Sequence, residues 1–514
     1  MMRLTEIKSY KRSSFFFFVL LVTLYFSISN CSNTPKAPPL NEGELLAKKH
    51  CSTCHKYPEP EFIDRESWAK HVLPAMAPRL GIKVYMDDQY VNNPNAITAV
   101  TYDEWLKIVA FYKSKSPVTL KAAKSSITPM KDWAVFALKK PAAKMQMATT
   151  TLASFDTISN NIYTSDMLLN TVYQWSDKLV QQGISKFPSA AVDVKFNKNI
   201  KGDEHGIFTL IGSFDAHDLE SGFLTDVDLK KFKKPSSAKN IASGLNRAVA
   251  SVSADFNKDG LADWVVCEFG HNRGGLSLFT QTTSGTYNKT AIRTITGPIN
   301  VTTGDFNNDG WPDVMCLFAQ GDEGLWMFLN DHKGGFTTRN LLRFPPVYGS
   351  TSFQLVDFNN DGKLDVLYTC GDNSDYSRVL KPYHGVYIFL NEGNFKYKQA
   401  YFYPVNGATK AIAADFNGDG KLDIAAIAFF SDLKSNPAEG FTYFEQTKPM
   451  QFMPHNIPVN NDGRWICMDV KDYNHDGKPD IILGNFSFGF INQEGVKPNW
   501  DTKTPYIVLE NVRK

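Results

Sequence analysis

Two hydrophobic rhythms divide this chain. Between residues 41 and 116 apolar side chains recur at helical spacing, most clearly at Trp105, Ile108, Val109 and Tyr112, which a 3.6-residue period puts on one face. Thr101-Tyr-Asp-Glu104 supplies a helix start with acids in its first turn, and Glu42 to Cys51 predicts an earlier helix. Residues 117–130, opening on Pro117, are polar and basic and read as a linker. From about residue 131 to the end the rhythm changes to short apolar strands parted by turn residues, as in Ile207 to Phe214, Val265-Val266-Cys267 and Ile481-Ile482-Leu483.

Five of those strands follow the same acidic nonapeptide, Asp-aromatic-Asn-x-Asp-Gly-x-x-Asp (with Gly at the fourth place in one copy). Copies run from Asp255 to Asp263, Asp305 to Asp313, Asp357 to Asp365, Asp415 to Asp423 and Asp472 to Asp480, and begin 50, 52, 58 and 57 residues apart. A period of that size marks a repeat architecture. Near 55 residues per unit, 131–514 holds about seven units. The first two, around Ala148 to Trp175 and Val192 to Leu229, lack the nonapeptide and read as degenerate copies. Small antiparallel sheets repeated radially make a propeller, which leaves few open strand edges.

Oxygen ligands at the first, third, fifth and ninth places, with glycine at the sixth for a sharp turn, make a calcium loop, and the seventh main-chain carbonyl completes the shell. The predicted sets are Asp255, Asn257, Asp259, Leu261 and Asp263; Asp305, Asn307, Asp309, Trp311 and Asp313; Asp357, Asn359, Asp361, Lys363 and Asp365; Asp415, Asn417, Asp419, Lys421 and Asp423; Asp472, Asn474, Asp476, Lys478 and Asp480. About five calcium ions are expected, each pinning a turn. No copy has the glutamate at the twelfth place, or the flanking helices, of an EF-hand. The repeat resembles the FG-GAP, or VCBS, repeats of integrin-type β-propellers, over about three quarters of the chain. That resemblance implies a mainly β fold, a calcium-binding propeller of about seven blades.

The net charge of +2 gives no reason to expect a nucleic-acid partner. Arg3, Lys8, Lys11 and Arg12 precede the apolar run from Phe15 to Phe26, which is short for a membrane span. Cys31 follows it, and residues 1–30 resemble a bacterial lipoprotein signal. The resemblance implies lipidation at Cys31, a tether over 31–40, and an exported protein in the periplasm or at the cell surface, anchored to the outer membrane. Cys267, Cys316, Cys370 and Cys467 fall in or beside strands and read as buried hydrophobes.

Cys51-Ser-Thr-Cys54-His55 is different. C-x-x-C-H is the attachment signal for one covalent c-type haem, with thioethers at Cys51 and Cys54 and His55 as the proximal iron ligand. No second ligand pair lies nearby to complete a zinc site, and a redox dithiol would need a βαβ setting. Residues 41–116 resemble a small all-α monohaem cytochrome c domain ahead of the propeller. In that family's pattern Met76, in Val72-Leu-Pro-Ala-Met76-Ala-Pro, takes the place of the sixth ligand. Met76 lies farther upstream of the last helix than is usual, which keeps Met86 and His71 as alternatives.

If the nonapeptides close one face of the propeller, the next connections open on the other. Those loops are polar and long, and they place Arg247, His271, Asp372, Asn373, Asp375, Tyr376, Lys381, His384, Lys410 and Arg464 on a candidate ligand face. Arg247 and Arg464 each precede their nonapeptide by eight residues, so equivalent positions are expected. No Ser/His/Asp signature, phosphate loop or H-E-x-x-H occurs. The leading expectation is an electron-transfer protein with a redox-protein partner, docked through its propeller. The alternatives are a haem-linked oxidoreductase whose polar face binds a sugar, alcohol or carboxylate, and a glycan-binding or adhesion module.

Overall fold

The computed structural model describes residues 40–93, 97–199, 201–233, 238–374, 376–489, 491, 493 and 495–513. The signal, Cys31, most of the tether and Asp375 lie outside them.

The helical region is built on α1 (Leu40–Cys51) and α2 (Tyr102–Lys115). Thr101 caps α2 through its hydroxyl while the Glu104 carboxylate reaches back to the Thr101 N–H, 2.8 Å away, satisfying two amides that the helix leaves open. The helices cross at Gly43, where a Cβ would meet the Lys107 carbonyl at 2.4 Å and Phe111 Cβ at 2.8 Å. Only a residue without a side chain allows that approach. Ala47, Trp68, Leu73, Trp105, Ile108 and Tyr112 bury themselves between the helices and the short turns from Arg65 to Leu80. A two-residue hairpin pairs Lys83–Val84 with Tyr90–Val91, so the region is not purely helical as expected.

Seven four-stranded antiparallel sheets follow. Six are consecutive in sequence, at 150–186, 191–246, 248–293, 298–343, 350–404 and 408–456. The seventh combines Trp465–Lys471, Asp480–Asn485 and Tyr506–Asn511 with Phe136–Lys139 from the other end of the propeller sequence. That strand completes the last blade as its outer strand and so joins the two ends of the ring. Phe136, 3 % exposed, also packs into the neighbouring blade against Phe416 and Tyr443, with ring centroids 5.5 and 5.4 Å away. The second strand of each of blades 3 to 7 is buried at every position, which is why those strands read as unbroken apolar runs.

Each nonapeptide joins the first and second strands of blades 3 to 7. Strands in a blade alternate direction, so all five loops share one face, and the second-to-third loops and blade-to-blade connections share the opposite face.

Candidate functional site

The helical region rests on that opposite face, against blades 3 to 5. Arg79 donates to the Asn272 side chain at 2.7 Å and Lys56 to the Arg343 carbonyl at 3.2 Å. Phe62 wedges edge-on against Tyr348 and Tyr383, 5.8 Å from each, and those two tyrosines stack at 4.5 Å. The Tyr383 hydroxyl reaches the Phe62 carbonyl at 3.1 Å.

Cys51 ends α1 and Cys54-His55 follows in the turn after it. Neither thiol is in a disulfide. Cys51 is half-buried, and burial pushes its thiol up to about 11, while Cys54 is exposed. His55 Nδ1 lies 3.0 Å from the Lys56 carbonyl. That acceptor fixes the proton on Nδ1 and leaves the Nε2 lone pair free for a metal. Burial lowers the His55 pKa, so the ring stays neutral.

Met76 packs against the same core as Cys51 and Tyr57. Met86 is 58 % exposed on the hairpin, and His71 is exposed. Of the three sixth-ligand candidates, Met76 alone shares a hydrophobic surface with Cys51.

Beside His55 the propeller presents a cluster that sequence reasoning missed. Asp322, 7 % exposed, sits between Arg293 at 3.0 Å and Arg343 at 2.7 Å. Arg293 in turn lies over the Trp326 and Phe318 rings, 3.7 and 4.6 Å from their centroids. These residues belong to no shared motif, so only the folded chain brings them together.

The candidate ligand face needs correction. Arg247 donates to the Gly270 and Phe214 carbonyls at 2.9 and 3.2 Å and lies over Phe269. Arg464 donates to the Phe429 and Gly489 carbonyls at 3.0 and 3.1 Å and lies over Phe429. The two do occupy equivalent places, where each guanidinium satisfies loop carbonyls that have no strand partner. Asn373, Lys381 and His384 are buried, and Lys381 donates to Asn373 and, at 2.9 Å, to the Ser377 carbonyl. Asn373 and Lys381 thereby brace the 371–384 loop, while the His384 ring is enclosed without a hydrogen-bond partner among its described residues. Asp372 is half-buried and caps Ser374 at 2.8 Å. His271 is half-buried and Tyr376 exposed on the face, and Lys410 lies instead in the first strand of blade 6, at the central channel.

The nonapeptide loops are wound tightly. The first Asp accepts main-chain N–H groups, as Asp255 does from Asp259 at 3.1 Å and Gly260 at 2.8 Å. Position six has φ of +83°, +81°, +79°, +82° and +79° in Gly260, Gly310, Gly362, Gly420 and Gly477, the left-handed region that favours glycine. The ninth Asp is fully buried in all five copies. One of its oxygens accepts the N–H of position two and the other accepts an N–H from the third strand's end: Phe256 and Gln281 for Asp263, Phe306 and Asn330 for Asp313, Phe358 and Asn391 for Asp365, Phe416 and Gln446 for Asp423, Tyr473 and Asn511 for Asp480. Sequence reasoning gave this residue to a cation and missed that it staples the blade. Among the described residues no three His, Cys, Asp or Glu side chains converge closely enough to hold a metal as they stand.

The profile of FG-GAP-like repeats matches residues 255–316, 316–368 and 374–426. The chain thus carries FG-GAP-like repeats in a seven-bladed β-propeller. A T-cell immunomodulatory protein homolog from Plasmodium falciparum is 33 % identical over 135 residues, covering 23 % of this chain and 18 % of that protein. The chain therefore spans under a fifth of that relative's length. Among solved structures, an ancestral GH74 enzyme aligns with TM-score 0.48 and 10 % identity, over 72 % of this chain and 51 % of its own. Virginiamycin B lyase from Staphylococcus aureus aligns with TM-score 0.44 and 11 % identity, over 73 % and 98 %.

Proposed function

We propose that this chain is an exported, lipid-anchored c-type cytochrome that passes single electrons to a partner protein, with its FG-GAP propeller as the docking domain. The observation that carries this reading is the state of the C-x-x-C-H turn. Two thiols free of disulfide, Cys51 at the helix end and Cys54 in the turn after it, precede a neutral imidazole whose Nδ1 is committed to Lys56, leaving Nε2 available. These residues fit a haem, which when bound would supply one-electron redox chemistry at iron. Cys51 and Cys54 would hold it, His55 and Met76 would ligate it, and the Trp105 and Tyr112 core would exclude water from one side. The Asp322 cluster places fixed charges near His55.

Calcium is proposed for the five nonapeptides as a structural ion. Each loop carries three Asp and one Asn within nine residues, an oxygen-only donor set of the kind calcium takes, which an ion would have to draw together. The anchor at Cys31 belongs to the same proposal; no helix of the described residues is long and apolar enough to cross a membrane.

One observation favours a second reading, a haem-linked oxidoreductase. The helical region sits on the same face as the polar second-to-third loops, which would put a bound substrate within reach of the electron acceptor. A visible spectrum of the purified oxidised protein, repeated with a panel of sugars, alcohols and organic acids, separates the readings. A c-type spectrum reduced only by redox proteins or dithionite supports the carrier. Reduction by one compound supports the enzyme. No haem spectrum after expression with the maturation machinery sinks both.

A further inference from the structure

The channel along the propeller axis holds a cavity of about 430 Å³ between the inner strands of blades 1, 2, 6 and 7. That volume lies in the range of small-molecule sites, roughly 300–1,000 Å³. Three lysines from three blades reach it, Lys195, Lys410 and Lys471, together with the carboxylates Asp193 and Asp469.

The carboxylates are already engaged. Asp193 accepts Lys195 at 2.9 Å on one oxygen and the Ser251 N–H at 3.0 Å on the other. Asp469 accepts the Val470 N–H at 3.0 Å on one oxygen, and the Ser154 hydroxyl and Phe155 N–H at 2.9 and 3.0 Å on the other. Both therefore tie neighbouring blades together. A third acid, Asp156, is buried and caps its own turn at Ile158, 3.0 Å away.

The amines are in the opposite position. An ammonium has three donors. Lys195 uses one on Asp193, and Lys471 donates to the Phe155 carbonyl at 2.9 Å beside Asp469 at 3.6 Å. Lys410 is half-buried and helps hold Asp469 ionised from a distance, but donates no hydrogen bond to any described residue. Lys195 keeps 44 % of its side chain accessible, because the channel is wide enough to admit solvent. The charges lining the cavity balance, three lysines against Asp156, Asp193 and Asp469, but the ammonium groups keep N–H donors that these engaged carboxylates do not use, and an incoming carboxylate can take them.

We infer that the central channel is a binding site for a small organic carboxylate, held by Lys410 with Lys195 and Lys471. Residues 156–158 and 469–471 lie at the ends of inner strands that run toward the nonapeptide face, so the site opens on that face, away from the helical region. It requires no haem and stands apart from the redox reading.

Isothermal titration of the full mature protein with sodium succinate, at fixed ionic strength, tests the site. Saturable binding at about 1 mM or tighter is expected, with none for uncharged succinamide. Lys410→Met should weaken it by about tenfold or more, the loss of one charge-assisted contact, measured below the melting temperature of the variant. Lys410→Gln serves if the methionine variant does not fold, and the succinate–succinamide comparison needs no variant. Absent saturation, equal binding of succinamide, or undiminished binding by the Lys410 variant would each overturn the site.

Discussion

Within one nonapeptide, identical side chains do different work. Asp259 is exposed and bonds only within its own loop, to Leu261 and Asn257, whereas Asp263 is buried and holds two main-chain amides from different parts of the blade. Asp259→Ala should therefore reduce only the extra stability that calcium confers. Asp263→Ala leaves two buried N–H groups unpaired and should cost about 2–4 kcal/mol, with or without chelator. Melting both variants in calcium and in EDTA separates the roles; equal behaviour of the two would refute the division. Glu323 gives a pH signature of its own. It is fully buried, accepts the Ser350 N–H and hydroxyl at 2.7 and 2.6 Å, and burial raises its carboxyl to about 8. Between its ordinary value of 4.5 and that point the folded chain holds a proton the unfolded chain has released. Its contribution to stability is therefore greatest below 4.5 and is lost as pH rises toward 8, by up to about 1.4 kcal/mol per pH unit. Glu323→Gln should remove that slope, as denaturant titrations at pH 5, 6.5 and 8 would show.

Elements with strong local signals were legible. The five second strands announce themselves because burial on both faces makes them continuously apolar, and α2 because its cap and its stripe agree. The blade count followed from the repeat period. The closing strand Phe136–Lys139 was not legible, since four residues carry too little pattern and their partner lies at the far end of the sequence. The buried Lys381 and Asn373 misled for the opposite reason: polar residues in a long loop read as solvated, yet here they satisfy each other and the loop's carbonyls. Gly43 gives the element-scale prediction. Valine there drives a side chain into the Lys107 carbonyl and Phe111, so Gly43→Val should destabilise the helical region by about 1–3 kcal/mol or more while leaving the blades intact. Calorimetry would show a helical transition moved downward and a propeller transition in place; a single common shift would mean the two regions unfold as one.

At the scale of the molecule, the ring depends on a contact between its two sequence ends. Phe136 to Lys139 pairs with Asn511 back to Val508, across some of the longest sequence separations in the chain. Such closure is entropically costly before it is rewarded, so it should form late in folding. Without it, the strand Tyr506–Asn511 is an open edge, and the space that Phe136 fills beside Phe416 and Tyr443 stands empty. Losing that burial alone costs about 1.5–3 kcal/mol, and an unpaired edge invites strand exchange between copies. A chain beginning at residue 131 keeps the closing strand and loses the helical region and the linker, including the main-chain bonds of Met130 to Pro454 and Asn456 on blade 6. It should fold as a monomer. A chain beginning at residue 141 should aggregate, and adding a peptide of residues 131–141 during refolding should recover part of the monomer, because the missing segment supplies backbone pairing, the Phe136 anchor and the ion pairs of Asp132, Lys139 and Lys140. Size-exclusion chromatography of the three preparations decides it. A well-behaved monomer from residue 141 would mean that blade 7 holds with three strands and that the ring is closed by packing between blades rather than by strand pairing.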